Sequence, residues 1–162
     1  MHPQLIAQVL FLIALANGAP VIAKRLLRDR FASPVDRGWR LPDGQPVFGG
    51  AKTIRGIVLS VIATTCLAPA IGAAPATGAI VAVSAMTGDL LSSFTKRRMR
   101  LPSSSMCIGI DQGPESLLPA LACRWILPLS LADVALVVAL FLVGELGASR
   151  LLYALTIRDQ PY

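Results

Sequence analysis

AIVAVSAMTGDLLSSFTKRR, Ala79 to Arg98, decides the fold. From Ala79 to Phe94, or from Ala76 if the helix starts earlier, the residues are apolar or small apart from one carboxylate, Asp89. The run ends in Lys96, Arg97 and Arg98. An apolar helix capped by contiguous cations reads as a membrane span reaching the lipid–water boundary. On a helix continuing through Lys96, residues Asp89, Ser93 and Lys96 share one face, at spacings of four and seven. Asp89 then sits about 7–8 Å below Phe94, from the helical rise per residue. A carboxylate at that depth is costly unless it pairs with a cation or binds a metal.

The rest of the chain repeats this alternation. Hydrophobic residues make up 54% of the 162 and charged residues only 15%, where a soluble domain carries roughly a quarter. Twelve of the fifteen Lys and Arg fall in two stretches, Lys24–Arg55 and Lys96–Arg100, each between apolar runs. A first span covers Pro3 to Ala23, interrupted by Asn17-Gly18-Ala19-Pro20. With no Lys or Arg before it, it reads as a retained helix rather than a cleaved signal. Lys24 to Thr53 is a polar loop rich in turn formers, Ile54 to about Gly72 a second span, and Pro69 to Gly78 a tight turn. Thr95 to Pro114 is a second polar loop. Glu115 to Ile157 is too long for one helix and predicts a hairpin turning near Pro128 to Asp133. The fold class is thus an all-α polytopic membrane protein, one domain over 1–162 with about five transmembrane helices. Both basic loops lie on one side, which the positive-inside rule makes cytoplasmic in a multi-pass cell-membrane protein.

Composition also excludes. The net charge of +6 is confined to loops, and five Phe, two Trp and two Tyr are too few for a base-stacking surface, so nucleic acid is not a partner. His2 is the only histidine, which removes zinc sites and His-based triads. Cys66, Cys107 and Cys123 have no metal-ligand spacing and carry no chemistry; Cys66 and Cys123, in apolar segments, read as small buried hydrophobes. Trp39 and Trp125 read as interface anchors or packing. Asn17 either bonds a neighbouring helix or lines a site, and Glu145 and Arg124 either pair or snorkel.

The polar inventory is concentrated in the two loops. The first holds Asp36, Asp43, Lys52, Thr53 and Arg55; the second region holds Asp89, Ser92, Ser93, Lys96, Arg97, Arg98 and Asp111. A plain ion pair from Asp89 to Lys96 or Arg97 would anchor the helix, and the basic run alone would serve as a topology signal. Three contiguous cations exceed what one aspartate needs, however. Interfacial carboxylates suit Mg²⁺, which fills its other positions with phosphate and water. Lys, Arg and Thr suit phosphate oxygens. The set fits a phosphate-bearing substrate at the membrane surface, worked by positioning and charge neutralisation.

Four stretches carry a resemblance to the CDP-archaeol synthases and their bacterial relatives, which are similar in turn to CDP-diglyceride synthases. They are Asn17-Gly-Ala-Pro20; Ser33-Pro-Val-Asp36 with Gly38 and Asp43-Gly44; Phe48-Gly-Gly-Ala-Lys52-Thr53-Ile-Arg55-Gly56; and Gly88 to Arg98 followed by Ile110-Asp111-Gln112. The resemblance implies a cytidylyltransferase that joins CTP to a lipid phosphate, such as phosphatidic acid or an ether-lipid phosphate, releasing pyrophosphate with Mg²⁺. It implies that Asp89 and Asp111 hold the metal and that Lys52, Arg55, Lys96 and Arg97 meet phosphates. Asp36, Asp43, Thr53, Ser93 and Asn17 would line the nucleotide or its loop. Two departures stand. The acidic residue expected three positions after the loop aspartate is Pro114, with Glu115 one later, and Pro102-Ser103-Ser104-Ser105 replaces expected glycines.

The competing reading is a non-catalytic membrane protein that binds anionic lipid or a partner through its basic loops; it gives Asp89 and Asp111 no purpose. A CDP-alcohol phosphotransferase is rejected, because no spaced aspartates follow Asp43-Gly44. A transporter of this length would need to form a homo-oligomer.

Overall fold

The computed structural model describes residues 1–103, 105 and 107–154, with the backbone alone over 148–154. Among these the chain forms five α-helices: α1 Pro3–Leu27, α2 Ile54–Leu67, α3 Pro75–Arg98, α4 Gln112–Cys123 and α5 Leu131–Ala154. The expected end of the last span at Ile157 lies outside the described residues. Among the described residues three stretches are long and apolar enough to cross a membrane: Pro3–Leu27, Ile54–Ile71 and Pro75–Arg98. α4, at 12 residues, is only about 18 Å long, against roughly 30 Å of hydrocarbon. The hairpin expected from Glu115 onward therefore has a short first arm, and it turns between Arg124 and Ser130, where Arg124 Nε donates to Leu129 O at 3.2 Å.

α3 is the central helix. Half of its span is covered by protein, against 28% for α1 and 22% for the stretch containing α2. Two glycines set its closest approaches, because small residues let backbones meet where lipid supplies no hydrophobic drive. A Cβ at Gly78 would lie 2.5 Å from Thr64 O on α2, and one at Gly88 would lie 2.3 Å from Pro114 O at the start of α4. α3 runs unbroken through Lys96, as the shared face of Asp89, Ser93 and Lys96 requires. Away from the loops, Ile6, Val9, Leu12, Val81, Val137 and Phe141 close the apolar core.

α1 continues to Leu27 through Pro20. Proline has no N–H, so the Ala16 carbonyl four residues earlier loses its helical donor. Ser60 on α2 replaces it, donating from Oγ to Ala16 O at 2.7 Å in a fully buried position. Ser60→Ala leaves that carbonyl orphaned and should destabilise the protein by about 1–3 kcal/mol, read as a lower unfolding temperature in detergent.

At the end away from the basic loops, His2 joins the starts of α1 and α5. Its Nδ1 meets Asp133 Oδ2 at 3.0 Å, and Ser130 Oγ donates to the same oxygen at 2.8 Å. Serine and histidine both bond the aspartate and not each other, so the trio is a structural tie rather than a nucleophile with its base. Trp125 is 91% exposed near this end and Trp39 is 70% exposed in the first loop, which suits anchoring rather than packing.

Candidate active site

The site is built along the antiparallel seam between α3 and α4. Gly88 lies against the Pro114–Glu115 backbone, and one turn on, Ser92 Oγ donates to Gly88 O at 2.8 Å and reaches Asp111 O at 3.4 Å. This register brings two sets of charges together about 10 Å apart along α3, from the seven residues between Asp89 and Lys96.

In the first set, Lys52 Nζ, delivered by the turn before α2, donates to Asp89 Oδ1. The Glu115 carboxyl lies within hydrogen-bond reach of Asp89 and close enough to Glu145 and Lys52 to feel their charge. Glu115 is buried. In the second set, Lys96 Nζ pairs with Asp111 Oδ1 at 2.5 Å and donates to Ser105 O at 2.8 Å. Asp111 Oδ2 accepts from the Cys107 N–H at 2.8 Å.

The two loops meet over Arg97. Its Nη2 donates to Pro102 O at 2.7 Å, while its Nε is buried with no hydrogen-bond partner among the described residues. Gly49 allows this closure: its φ is 91°, and a Cβ there would sit 3.2 Å from Ser103 Oγ and 3.7 Å from Arg97 Cδ. Arg98 straps the first loop down. Its Nη1 pairs with Asp43 Oδ2 at 2.5 Å, its Nη2 donates to Pro46 O at 2.5 Å, and its guanidinium lies 5.1 Å from the Phe94 ring centroid.

The structure therefore divides the expected site residues. Asp89, Asp111, Lys52, Lys96 and Arg97 line the seam and its rim, with Ser93 buried beside them. Asp43 is held by Arg98 and by the Gln45 N–H. Asp36 organises the first loop, accepting from the N–H groups of Gly38, Phe48 and Gly49 at 2.8–3.0 Å. Thr53 caps α2, accepting from the Gly56 N–H at 3.2 Å. Arg55 closes the same loop, donating to the carbonyls of Arg28 and Arg30. Asn17 is half-buried, its Nδ2 without a partner among the described residues. Glu115 is the site residue not expected; the one sequence signal for it was its place one position beyond the expected acidic residue.

Burial alone would raise the Asp36 pKa, but the N–H groups of Gly49, Phe48 and Gly38 outweigh it and hold the carboxyl below its ordinary value. A depressed aspartate contributes stability that is fully present above its unfolded value of about 4 and is lost as pH falls through the folded value. The first loop should thus keep its order at neutral pH and loosen only below about pH 4. Asp36→Ala at neutral pH should speed hydrogen exchange at the Phe48 and Gly49 amides by about tenfold or more, since a bond to a charged acceptor contributes about 1.5–3 kcal/mol.

The donor set suits Mg²⁺. Hard carboxylate oxygens face one another across the seam at the mouth of an apolar bundle, with cations nearby for phosphate. Among the described residues no group of three or more Asp, Glu, His or Cys gathers in metal-holding geometry. The protein would supply fewer ligands than that, as Mg²⁺ with phosphate substrates prefers.

Known proteins share this arrangement of helices and sequence. The CarS-like family, described as CDP-archaeol synthase, matches residues 70–162. The CDP-archaeol synthase of Pyrobaculum calidifontis is 33% identical over 157 residues, covering 91% of this chain and 90% of the relative. That of Hyperthermus butylicus is 31% identical over 147 residues, covering 84% of each. A solved structure described as an intramembrane enzyme for archaeal membrane lipids biosynthesis superposes with a TM-score of 0.69 over 85% of this chain and 90% of its own. At 22% identity it establishes a shared fold. Identity of 33% over nearly the full length of a relative, the matched family and the shared helix arrangement agree: the chain belongs to the CDP-archaeol synthase family.

Proposed function

We propose that this chain is a cytidylyltransferase that joins CTP to an ether-lipid phosphate or phosphatidic acid, at the cytoplasmic surface of the cell membrane. The observation that carries this reading is the seam itself. Two carboxylates, Asp89 and Glu115, and the cations Lys52, Lys96 and Arg97 are gathered at the loop-bearing end of an apolar bundle. A water-soluble triphosphate and a lipid phosphate can meet there without either leaving its own solvent.

In this reaction an oxygen of the lipid phosphate attacks the α-phosphorus of CTP in line. A new P–O–P bond forms, the bond to the β-phosphate oxygen breaks, and pyrophosphate leaves with that electron pair. No side-chain nucleophile is needed. Arg97 is suited to a phosphate oxygen, because its rigid fork, with an Nε that has no partner among the described residues, can be satisfied by an anion. Lys96 and Lys52, each now held by a carboxylate, can turn toward the phosphates and offset the charge that develops. The loops that close over Arg97 exclude water and so favour the lipid phosphate as acceptor. Asp89 would hold Mg²⁺, whose bound charge neutralises the triphosphate and polarises the reacting phosphorus.

The test is label position. With purified protein in lipid micelles and Mg²⁺, CTP labelled at the α-phosphate should carry label into the lipid phase, whereas label at the γ-phosphate should appear in pyrophosphate. Label in lipid from neither position, with any lipid phosphate supplied, would refute the reaction.

A further inference from the structure

Residues 39–47 of the first loop fold back on themselves as a small hairpin. Arg40 and Pro46 form an antiparallel bridge, the Leu41 N–H donates to Gln45 O at 2.9 Å, and the Val47 N–H donates to Trp39 O at 3.1 Å. The chain reverses through 41–44, where the Gly44 N–H donates to Leu41 O at 2.9 Å and Asp43 Oδ1 accepts from the Gln45 N–H at 3.0 Å. Pro42 and Gly44 stand at the second and fourth positions of this turn, where those residues are favoured. Asp36 closes the base. Its carboxylate takes the Gly38 N–H on the way in and the Phe48 and Gly49 N–H groups on the way out. A segment that satisfies its own backbone and is tied across its base is built to move as one body.

The far end of the hairpin is held by one side chain. Among the described residues, every hydrogen bond from 39–47 to a helix comes from Arg98, in the last turn of α3. Its Nη1 takes Asp43 Oδ2 in the turn, and its Nη2 takes Pro46 O at 2.5 Å and Gln45 O at 3.5 Å on the returning arm. Phe94, one turn earlier on α3, backs the guanidinium. A planar fork can serve these acceptors together, whereas an ammonium is a single point of charge. Adjacent arginines thus divide the work. Arg97 is buried at the rim of the seam with Gly49, just past the hairpin, lying over it, and Arg98 grips the hairpin that leads there. The side chains of Arg98 and Asp43 are 25% and 41% exposed, so their ion pair is screened by solvent and easily reopened.

We propose that Arg98 is a positioning residue that latches the 39–47 hairpin as a flap over the Arg97 rim, and that this latch selects the lipid phosphate over water as acceptor. The proposal rests on the reaction proposed above. In that reaction the α-phosphorus of CTP is open to a second nucleophile. Water attacking it forms one P–O bond and breaks the bond to the β-phosphate oxygen. The products are CMP and pyrophosphate, and the proton of the attacking water passes to solvent. Water enters from the side of the loops, and the lipid phosphate arrives from the bilayer. A cover on the loop side therefore obstructs one nucleophile and leaves the other its path. A latch of partly exposed contacts can also open for CTP to enter and pyrophosphate to leave.

Partition of label tests the latch. The full-length chain in lipid micelles receives Mg²⁺, CTP labelled at the α-phosphate and an ether-lipid phosphate, and label is counted in the lipid product and in CMP. Wild type should place nearly all of it in lipid. Arg98→Ala should raise the ratio of CMP to lipid product at least about tenfold, with the KM for CTP within about threefold of wild type. Arg98→Lys keeps the charge without the fork, and Asp43→Asn removes the charge of one acceptor, so both should fall between. Hydrogen exchange reads the hairpin without turnover. In Arg98→Ala the Leu41, Gly44 and Val47 amides should exchange about tenfold faster or more, with the amides around Ala85 in the middle of α3 unchanged. Thermal unfolding identifies a variant that has failed to fold, and Asp43→Asn, on the loop surface, then carries the comparison.

An unchanged ratio in Arg98→Ala, with a raised KM for CTP that Arg98→Lys restores, would overturn the latch and make Arg98 a plain cation for the triphosphate. Label transfer by wild type with hairpin exchange unchanged in Arg98→Ala would also sink the latch and leave the reaction standing. Hairpin exchange that depends on Arg98, in a protein that forms neither lipid product nor CMP, would sink the reaction together with the choice of acceptor and leave only a structural clasp.

Discussion

Asp89→Asn is expected to reduce transfer of the CTP α-label to lipid by about 10³-fold, on the order of 4 kcal/mol of transition-state stabilisation. Asparagine preserves the size of the side chain and removes its charge, so the α3–α4 seam should persist. Two explanations of such a loss must be separated. If Asp89 merely neutralised Lys52, with which it pairs, then Asp89→Asn should lower the unfolding temperature, Lys52→Met/Asp89→Asn should restore it, and the loss of transfer should follow the loss of fold. If Asp89 carries the cation, Asp89→Asn loses transfer even at an unchanged unfolding temperature. Unfolding temperature and label transfer, measured on the same preparations, decide between them. Transfer that falls only in step with stability would reduce the pair to a structural anchor.

Gly88→Ala is the second large effect, and it acts through packing. The methyl group would stand 2.3 Å from a backbone carbonyl oxygen, a contact no flexible side chain can relieve. α4 must move away from α3, at a cost of about 2 kcal/mol or more. The displacement also separates Glu115 from Asp89 and Asp111 from Ser92, the contacts that assemble the seam. The expected result is a lower unfolding temperature together with weakened cation affinity. Gly144→Ala on α5 is the control: a Cβ there meets nothing within 4 Å, so stability should hold or rise slightly as helix propensity improves. Equal behaviour of the two variants would mean that the close approach at Gly88 does not hold α4 in place.

Much of this fold could be read from the sequence because membrane spans announce themselves by length and charge. Ile54 begins α2 as the polar-to-apolar change at Thr53 indicates, and α3 ends with the basic run at Arg98. α3 starts at Pro75, earlier than Ala79 or Ala76, because a proline at the first helical turn extends the helix without losing a bond. The length of α4 could not be read. Glu115 to Ile157 carries few charges, so its turn was expected near Pro128 to Asp133, and the earlier break at Arg124 depends on packing rather than on hydropathy.

The site was legible only in part, for a similar reason. Asp89, Lys96 and Arg97 stand on one helix, where spacing gives their geometry directly. Glu115 was hidden, because the register of α4 against Gly88 is a tertiary fact that no local pattern encodes. In the first loop, residue type misleads in the other direction. Asp36, Thr53 and Arg55 are the residues a phosphate or nucleotide site would use, yet the same hydrogen-bonding capacity is what a 26-residue connection between α1 and α2, residues 28–53, needs to satisfy its own backbone. Composition cannot distinguish these uses.

The central claim is that one chain couples CTP to a lipid phosphate at the α3–α4 seam, and phosphorus NMR of a single reaction tests it most directly. With purified protein, Mg²⁺, CTP and an ether-lipid phosphate in micelles, the signals of a diphosphate-linked lipid and of free pyrophosphate should grow together in equal amounts, and both should be absent with Asp89→Asn. Pyrophosphate without the lipid product, or product formed equally by Asp89→Asn, would contradict the account.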